Sequence, residues 1–399
     1  MTDKIISNCK ICDNTCEIII SPSYSKTLVS GNQCLRGFAF ANRTFGDEIP
    51  GEFVQNKFKY SDSEFKMILD HWDLEFSQLI PEIIIQGSPE RSEFRIVIDD
   101  KNGNRYLLEQ INSLNVERKE QIAQFLDELE NYKLPITNYI KQYNDSHVVK
   151  YKNRYWMLSP FISGIPLNRE KYWNEGWRGT ALANFLIDLK KSATYLTVGK
   201  NVFNLPKYIN DLVKSIKNYD DQVYSSILPI YDHVKLNLYP HYNSIPVSFC
   251  HGDPHPVNII WGKKKINAVI DWEFCGLKPE IYDIALIIGC VGSEAKDALF
   301  GNFIKEFLKI LKKELFSENL SWQLLPDFII ALRFAWLSEW FRKQDEEMIQ
   351  FEIRYMKFLD ENLSKILCTR DLNPLPQKLL RNTKTLSQFF ILHQLIHPE

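Results

Sequence analysis

The sequence predicts an α+β protein: a small four-cysteine β module, then a β-rich first half and a helical second half. Three observations predict it. Strand-length apolar runs and turn signals crowd residues 82–111, whereas apolar residues recur at helical spacing from 181 onward. Two short apolar runs, Asn258–Trp261 and Ile266–Ile270, flank a Gly262-Lys-Lys-Lys265 turn and form a hairpin with polar residues at its ends. Cys9, Cys12, Cys16 and Cys34 follow the pattern C-x2-C-x3-C-x17-C.

The 399 residues suffice for two or three domains, and 45% hydrophobic and 13% aromatic content can fill large cores. Lys+Arg 48 against Asp+Glu 50 leaves a net charge of -2, so there is no electrostatic case for nucleic acid or an anionic membrane. No long apolar segment follows Met1-Thr-Asp-Lys4, and no run approaches a membrane span. A cytoplasmic setting is expected.

In the N-terminal module, Glu17–Ser21 and Thr27–Ser30 read as strands joined by a turn, and Gly31-Asn32 returns the chain so that Cys34 can meet the other three thiols. Four thiolates suit a structural Zn²⁺ or a cubane 4Fe–4S cluster. The three-plus-one spacing leans toward the cluster, since all-cysteine zinc sites more often use two close pairs. Disulfides and free thiols are the competing states; the missing export signal argues against disulfides. The segment resembles the four-cysteine region of molybdopterin oxidoreductases and short cysteine-rich proteins. That likeness implies a metal site and carries no redox activity, because nothing later resembles a molybdopterin-binding domain. Cys250, Cys275, Cys290 and Cys368 read as packing residues.

Further along, Phe65, Ile68, Leu69 and Trp72 recur at helical spacing. Glu82–Gln86, Phe94–Ile98 and Arg105–Ile111 read as three strands, the last two joined by an Asp100-Lys-Asn-Gly103 hairpin turn. Val116–Tyr132 reads as a helix with Ile122, Phe125, Leu126 and Leu129 on one face, and Tyr155–Ile162 as a further strand. Helices are expected over 181–194 and 298–316, and one or two over 206–236.

The hairpin carries the chemistry. His251-x-Asp253-x4-Asn258 is followed, after twelve intervening residues, by Asp271-Trp-Glu. Asn258 opens the hairpin and Asp271 closes it, so two oxygen ligands meet as nucleotide-bound Mg²⁺ requires. Asp253 lies where it can meet a substrate hydroxyl. These residues resemble the catalytic core of the aminoglycoside phosphotransferase and choline kinase group, relatives of the protein kinases.

The resemblance implies a two-lobed protein-kinase-like fold, with ATP and Mg²⁺ as cofactors. Asp253 would be the catalytic base, with Asn258 and Asp271 as Mg²⁺ ligands. Gly87 and Ser88 fall where a kinase covers the phosphates, although an ordinary hairpin turn explains them as well. Backbone near Ser159, Phe161 and Ile162 would meet adenine. His251 would be scaffold. His255 would touch phosphate or fill the loop. Asp283 would cap a helix or bond the catalytic loop. The expected division is a metal-binding module over 1–50, a helical linker over 51–80, a nucleotide-binding lobe over 81–165, a helical lobe over 166–370 and a tail over 371–399.

One departure stands out. The third strand should carry a phosphate-pairing Lys, yet Glu109 occupies that place. Glu109-Gln-Ile-Asn112 loosely resembles the Gln-Arg/Lys-Ile-Asn pattern of some sugar kinases that also lack the Lys. Otherwise Arg95 or Arg105 supplies the charge, or the chain is a kinase-shaped binding protein. Glu120 or Glu128 would be the helix partner of that strand. The acceptor implied is a sugar, an amino alcohol or an antibiotic, with a peptide Ser or Thr as a related option. The mixed charges of 328–362 do not announce a polycation.

Overall fold

A computed structural model describes residues 60–367 except 84, 86–91, 197–201, 296 and 315, together with strand segments 5–8, 17–23 and 26–30. The chain divides into two compact units, Met1–Asp127 with Thr137–Phe161 and Glu128–Ile136 with Ile162–Glu399. At the N-terminus, β1 (Ile5–Asn8), β2 (Glu17–Ser23) and β3 (Lys26–Ser30) form an antiparallel sheet in that order. The two strands expected there fall within β2 and β3. Cys9, Cys12, Cys16 and Cys34 lie outside the described residues, as do Gly87 and Ser88.

The first unit is built on a five-stranded antiparallel sheet ordered β4 (Phe76–Leu79), β5 (Ser92–Asp100), β6 (Arg105–Ile111), β8 (Arg154–Pro160), β7 (Val149–Tyr151). Helix α1 (Asp62–Leu69) starts with a capping box, in which Ser61 and Glu64 satisfy each other's backbone amides. Its Phe65, Ile68 and Leu69, with Trp72 just beyond, bury against Ile96, Ile98, Leu108, Trp156 and Leu158. Each such side chain contributes roughly 1.5–3 kcal/mol on burial. The stretch expected as a linker therefore supplies part of this unit's core.

Strand alternation sends the other face elsewhere. Ile111 and Met157 pack with Ala123 of α2 (Val116–Glu130) and with Val148. Arg95 and Glu109 are cross-strand partners and share that second face. At the β5–β6 turn, the Asp100 carboxylate accepts the Asn104 amide at 2.8 Å, and Gly103 takes φ +82°, a conformation glycine reaches without strain.

The strand expected over 82–86 is not formed at its described residues. Residues 81–83 make a turn, and the sheet begins instead at β4. Pro81 stops the ladder after the Ile80 amide has bonded Val97 O at 2.8 Å.

The second unit contains α3 (Gly176–Ser192), α4 (Leu205–Tyr219), α5 (Asp221–Asn237), β9 (Val247–Cys250), β10 (Ile259–Gly262), β11 (Lys265–Val269), β12 (Gly276–Pro279), α6 (Tyr282–Gly292), α7 (Asn302–Lys313), α8 (Asn319–Lys343) and α9 (Glu346–Leu367). The stretch expected as one or two helices over 206–236 forms two, divided at Asp220, whose carboxylate caps α5 through the Gln222 and Val223 amides. Apolar α6 is buried on nearly every side, with Ile284, Ile287, Ile288 and Val291 out of water. Helices α8 and α9 are fastened by Arg333 and Glu352, both almost fully buried and paired at 2.5 and 2.7 Å. Arg333 is thus a core residue. Among the described residues no helix is long and apolar enough to cross a membrane.

Candidate active site

Strands β10 and β11 pair antiparallel, and the Ile270 amide donates to the Asn258 carbonyl at 3.0 Å. That bond closes the hairpin mouth and sets Asn258 beside the residue preceding Asp271. The Val269 amide donates to Pro135 O at 2.7 Å, which anchors the far strand. Asp271 has φ 65° and ψ 61°, the left-handed region that Asp tolerates better than bulkier residues. Asn258 Nδ2 donates to the Asp253 carbonyl at 2.9 Å and to the Asp253 carboxylate at 3.0 Å. The structure therefore brings Asp253, Asn258 and the start of the Asp271 turn together, as the spacing predicts.

The loop that carries Asp253 is held from beneath. The fully buried His251 ring accepts the Asp253 amide at Nδ1 (3.1 Å) and donates from Nε2 to Ile270 O (3.0 Å). Burial pushes His251 down to about 3, so the neutral ring that these bonds need is the form present. Trp272 packs against it with ring centroids 4.3 Å apart. His251 is scaffold, linking the Asp253 loop to the Asp271 turn.

Asp283 resolves to loop support. Its two oxygens accept the His251 and Gly252 amides, each at 2.8 Å, and no side-chain cap is made at the start of α6. Burial pushes its carboxyl up to about 6, against the lowering effect of those amides and of Lys278. Gly252 has φ +87°, and a Cβ there would meet Phe274 O at 2.2 Å. His255 accepts the Val257 amide at Nδ1 (3.3 Å), and its Nε2 lies 3.8 Å from Asp253 Oδ1.

In the first unit, Ser159 is buried opposite Leu107. The Phe161 amide is engaged with Arg105 O at 2.9 Å. Ile162, half-buried, begins the longer segment of the second unit, where the Ile165 amide bonds Trp261 O at 2.8 Å and docks this segment on β10.

Glu109 is 5% exposed and accepts a hydrogen bond from Arg95 Nε at 2.6 Å. Burial alone would raise its carboxyl; the charges of Arg95 and Lys119, with hydrogen bonds from Arg95 and Tyr139, more than offset this and hold it below the usual carboxylate range. Glu120, one of two helix partners expected for this strand, is used elsewhere. It accepts the His147 and Val148 amides and meets the His147 ring at 2.9 Å. Arg105 pairs with Asp99. Lys119 was not singled out by sequence. The signal that points to it is charge reversal: a carboxylate on the strand calls for a cation on the helix facing it.

Mg²⁺ takes hard oxygen ligands and is usually held by one or two side chains, with phosphates and water completing its shell. Asn258 spends Nδ2 on Asp253, which leaves Oδ1 as a ligand atom, and Asp271 adds a carboxylate. This donor set fits the ion. Among the described residues, no three or more His, Cys, Asp or Glu side chains gather to hold a metal unaided.

An antiparallel five-stranded sheet with a helix packed on each face, followed in sequence by a largely helical unit that carries an Asp–Asn–Asp hairpin, is the pattern of a kinase-like phosphotransferase. The chain belongs to the phosphotransferase enzyme family (APH), whose family model matches residues 86–313. Among solved structures, it is similar to the amicoumacin kinase hAmiN in complex with AMP-PNP, Ca²⁺ and Ami, at 17% identity and TM-score 0.57, over 80% of this chain and 97% of that one. It is also similar to the GDP and kanamycin complex of APH(2")-IIia, at 14% identity and TM-score 0.53, over 76% and 99%. A third is an aminoglycoside phosphotransferase-like structure from Ralstonia eutropha, at 12% identity and TM-score 0.54, over 75% and 99%. At these identities the likeness shows the fold. No curated protein matches the chain.

Proposed function

We propose that this phosphotransferase moves the γ-phosphoryl group of ATP to a hydroxyl of a small molecule such as a sugar, an amino alcohol or an antibiotic-like compound. The observation that carries the reading is the hydrogen bond from Asn258 to the Asp253 carboxylate, at the mouth of the hairpin that ends in Asp271. Asp253 orients the acceptor hydroxyl and takes its proton as the acceptor oxygen bonds the γ-phosphorus. The bond from that phosphorus to the β–γ bridging oxygen breaks, and ADP leaves. Asn258 and Asp271 hold Mg²⁺, which, when bound, neutralises phosphate charge. Gly87 and Ser88 cover the phosphates. Ser159, Phe161 and Ile162 offer backbone groups to adenine; with its amide engaged by Arg105, Phe161 offers its carbonyl.

The described relatives favour a small acceptor, since one is an amicoumacin kinase and another holds kanamycin. The nucleotide-binding and helical lobes are assigned to 81–165 and 166–370, and the setting to the cytoplasm. Cys9, Cys12, Cys16 and Cys34 are assigned a separate Zn²⁺ or iron–sulfur site; in the alternative readings, a regulatory protein or a peptide kinase, that module would serve docking to a peptide or protein. Metal content and colour of the purified chain separate the two occupants.

Glu109 motivates a second reading, a kinase-shaped regulatory protein without transfer activity. A phosphorylation screen over sugars, amino alcohols, antibiotics and peptides, followed by mass shift, tests the first. Failure to bind Mg²⁺-ATP at millimolar nucleotide would leave only the second.

A further inference from the structure

We infer that this chain carries its phosphate-pairing cation on the helix instead of the strand: Lys119 of α2 binds the nucleotide phosphates, and Glu109 of β6 holds it in place. The inference rests on the phosphotransferase reading above and identifies which residue replaces the missing strand lysine.

The argument starts from the strand. Glu109 sits near the end of β6, on the sheet face where α2 packs through Ala123 against Ile111 and Met157. A buried carboxylate there repels phosphate, and removing it from water is costly unless cations face it. Two cations do. Arg95 lies directly across the ladder and donates Nε at 2.6 Å. Lys119, in the first turn and a half of α2, is 3% exposed and acts on Glu109 through its charge. Among the described residues whose charge acts on Glu109, two positive side chains stand against this one carboxylate. A protein-kinase lobe places Lys on the strand and Glu on the helix. Here the two charges have changed places across the same strand–helix contact.

Geometry separates the roles of the two cations. The Arg95 Nε–H is committed to Glu109, and its guanidinium starts from the neighbouring strand. Lys119 enters from the helix, with its ammonium 5.8 Å from the centroid of the Tyr139 ring, and Tyr139 also hydrogen-bonds Glu109. An ammonium has three donors on a flexible stem, so it can keep a carboxylate and a phosphate oxygen at once. Tyr139 and Glu109 therefore position Lys119 in a place shielded from water, where its charge acts strongly on an anion.

The test compares full-length wild type with Lys119→Met, Glu109→Gln, the neutral pair E109Q/K119M, the exchanged pair E109K/K119E with its two single variants E109K and K119E, and Arg95→Met. Mg²⁺-ATP turnover, ATP affinity and thermal stability are measured for each. Lys119→Met is expected to lose on the order of 10²-fold in kcat/KM for ATP. The neutral pair should regain wild-type melting temperature without regaining turnover, and the exchanged pair should outperform both E109K and K119E alone. A neutral pair with wild-type ATP kinetics overturns the inference, because Lys119 is then only a counter-ion. An ATP defect confined to Arg95→Met overturns it as well. These outcomes differ from failure of the functional reading, which would appear as a wild-type chain that neither binds nor turns over Mg²⁺-ATP and would remove the inference too.

Discussion

The side-chain amide of Asn258 donates to the Asp253 carboxylate at 3.0 Å, so a residue assigned to metal also fixes the orientation of the residue assigned to the base. Asp253→Asn keeps the loop's shape and removes the proton acceptor. Phosphoryl transfer should fall about 10²–10⁴-fold with ATP affinity nearly unchanged, as read by steady-state kinetics beside nucleotide titration. Asn258→Ala should weaken both, since it releases Asp253 and removes a ligand.

Gly252 cannot carry a side chain. Its φ of +87° and the 2.2 Å approach of a would-be Cβ to Phe274 O both forbid one. Gly252→Ala should cost at least about 2 kcal/mol, from backbone strain and displacement of the 272–275 turn. Thermal melting should show the loss, and activity should fall with it because the displaced amide is one that Asp283 holds.

His233 joins three helices. Nε2 meets Asp327 at 2.7 Å and Nδ1 meets Asp360 at 3.1 Å. The Asp327 hydrogen bond, with both carboxylate charges, raises its pKa above the ordinary 6.5 despite partial burial. A raised histidine pKa contributes stability that is fully present below the unfolded value and lost as pH rises through the folded one. Wild type should therefore out-melt His233→Gln below about pH 6.5, and the gap should close at alkaline pH. A gap that widens with pH would contradict the assignment.

Arg333 and Glu352 are paired twice in a dry core. Arg333→Ala leaves a buried carboxylate alone and should cost about 3–5 kcal/mol, by denaturant unfolding. Replacing both with apolar residues of similar size should recover most of it.

Much of the candidate site could be read from local pattern. The hairpin shows because two strand-length runs flank a turn, and the ends of such a hairpin must lie together, whatever surrounds them. Asp283 was placed by spacing, but whether it capped a helix or held the loop depended on where α6 begins relative to His251 and Gly252. Strand β4 escaped because four residues carry little periodicity, while the apolar run after Pro81 carried more. Lys119 escaped for a different reason. Its partner is Glu109, ten residues away and on another element, and only the packing of α2 on the sheet sets them together.

The central claim is tested most directly by Mg²⁺-ATP turnover in wild type and Asp271→Ala, measured with the full-length chain at saturating nucleotide. The account predicts that wild type hydrolyses ATP slowly without an acceptor and faster with one. Asp271→Ala should lose both rates with only a small drop in melting temperature, the cost of an alanine in the left-handed backbone of this position. Equal rates in the two proteins, or no nucleotide binding by wild type, would contradict it.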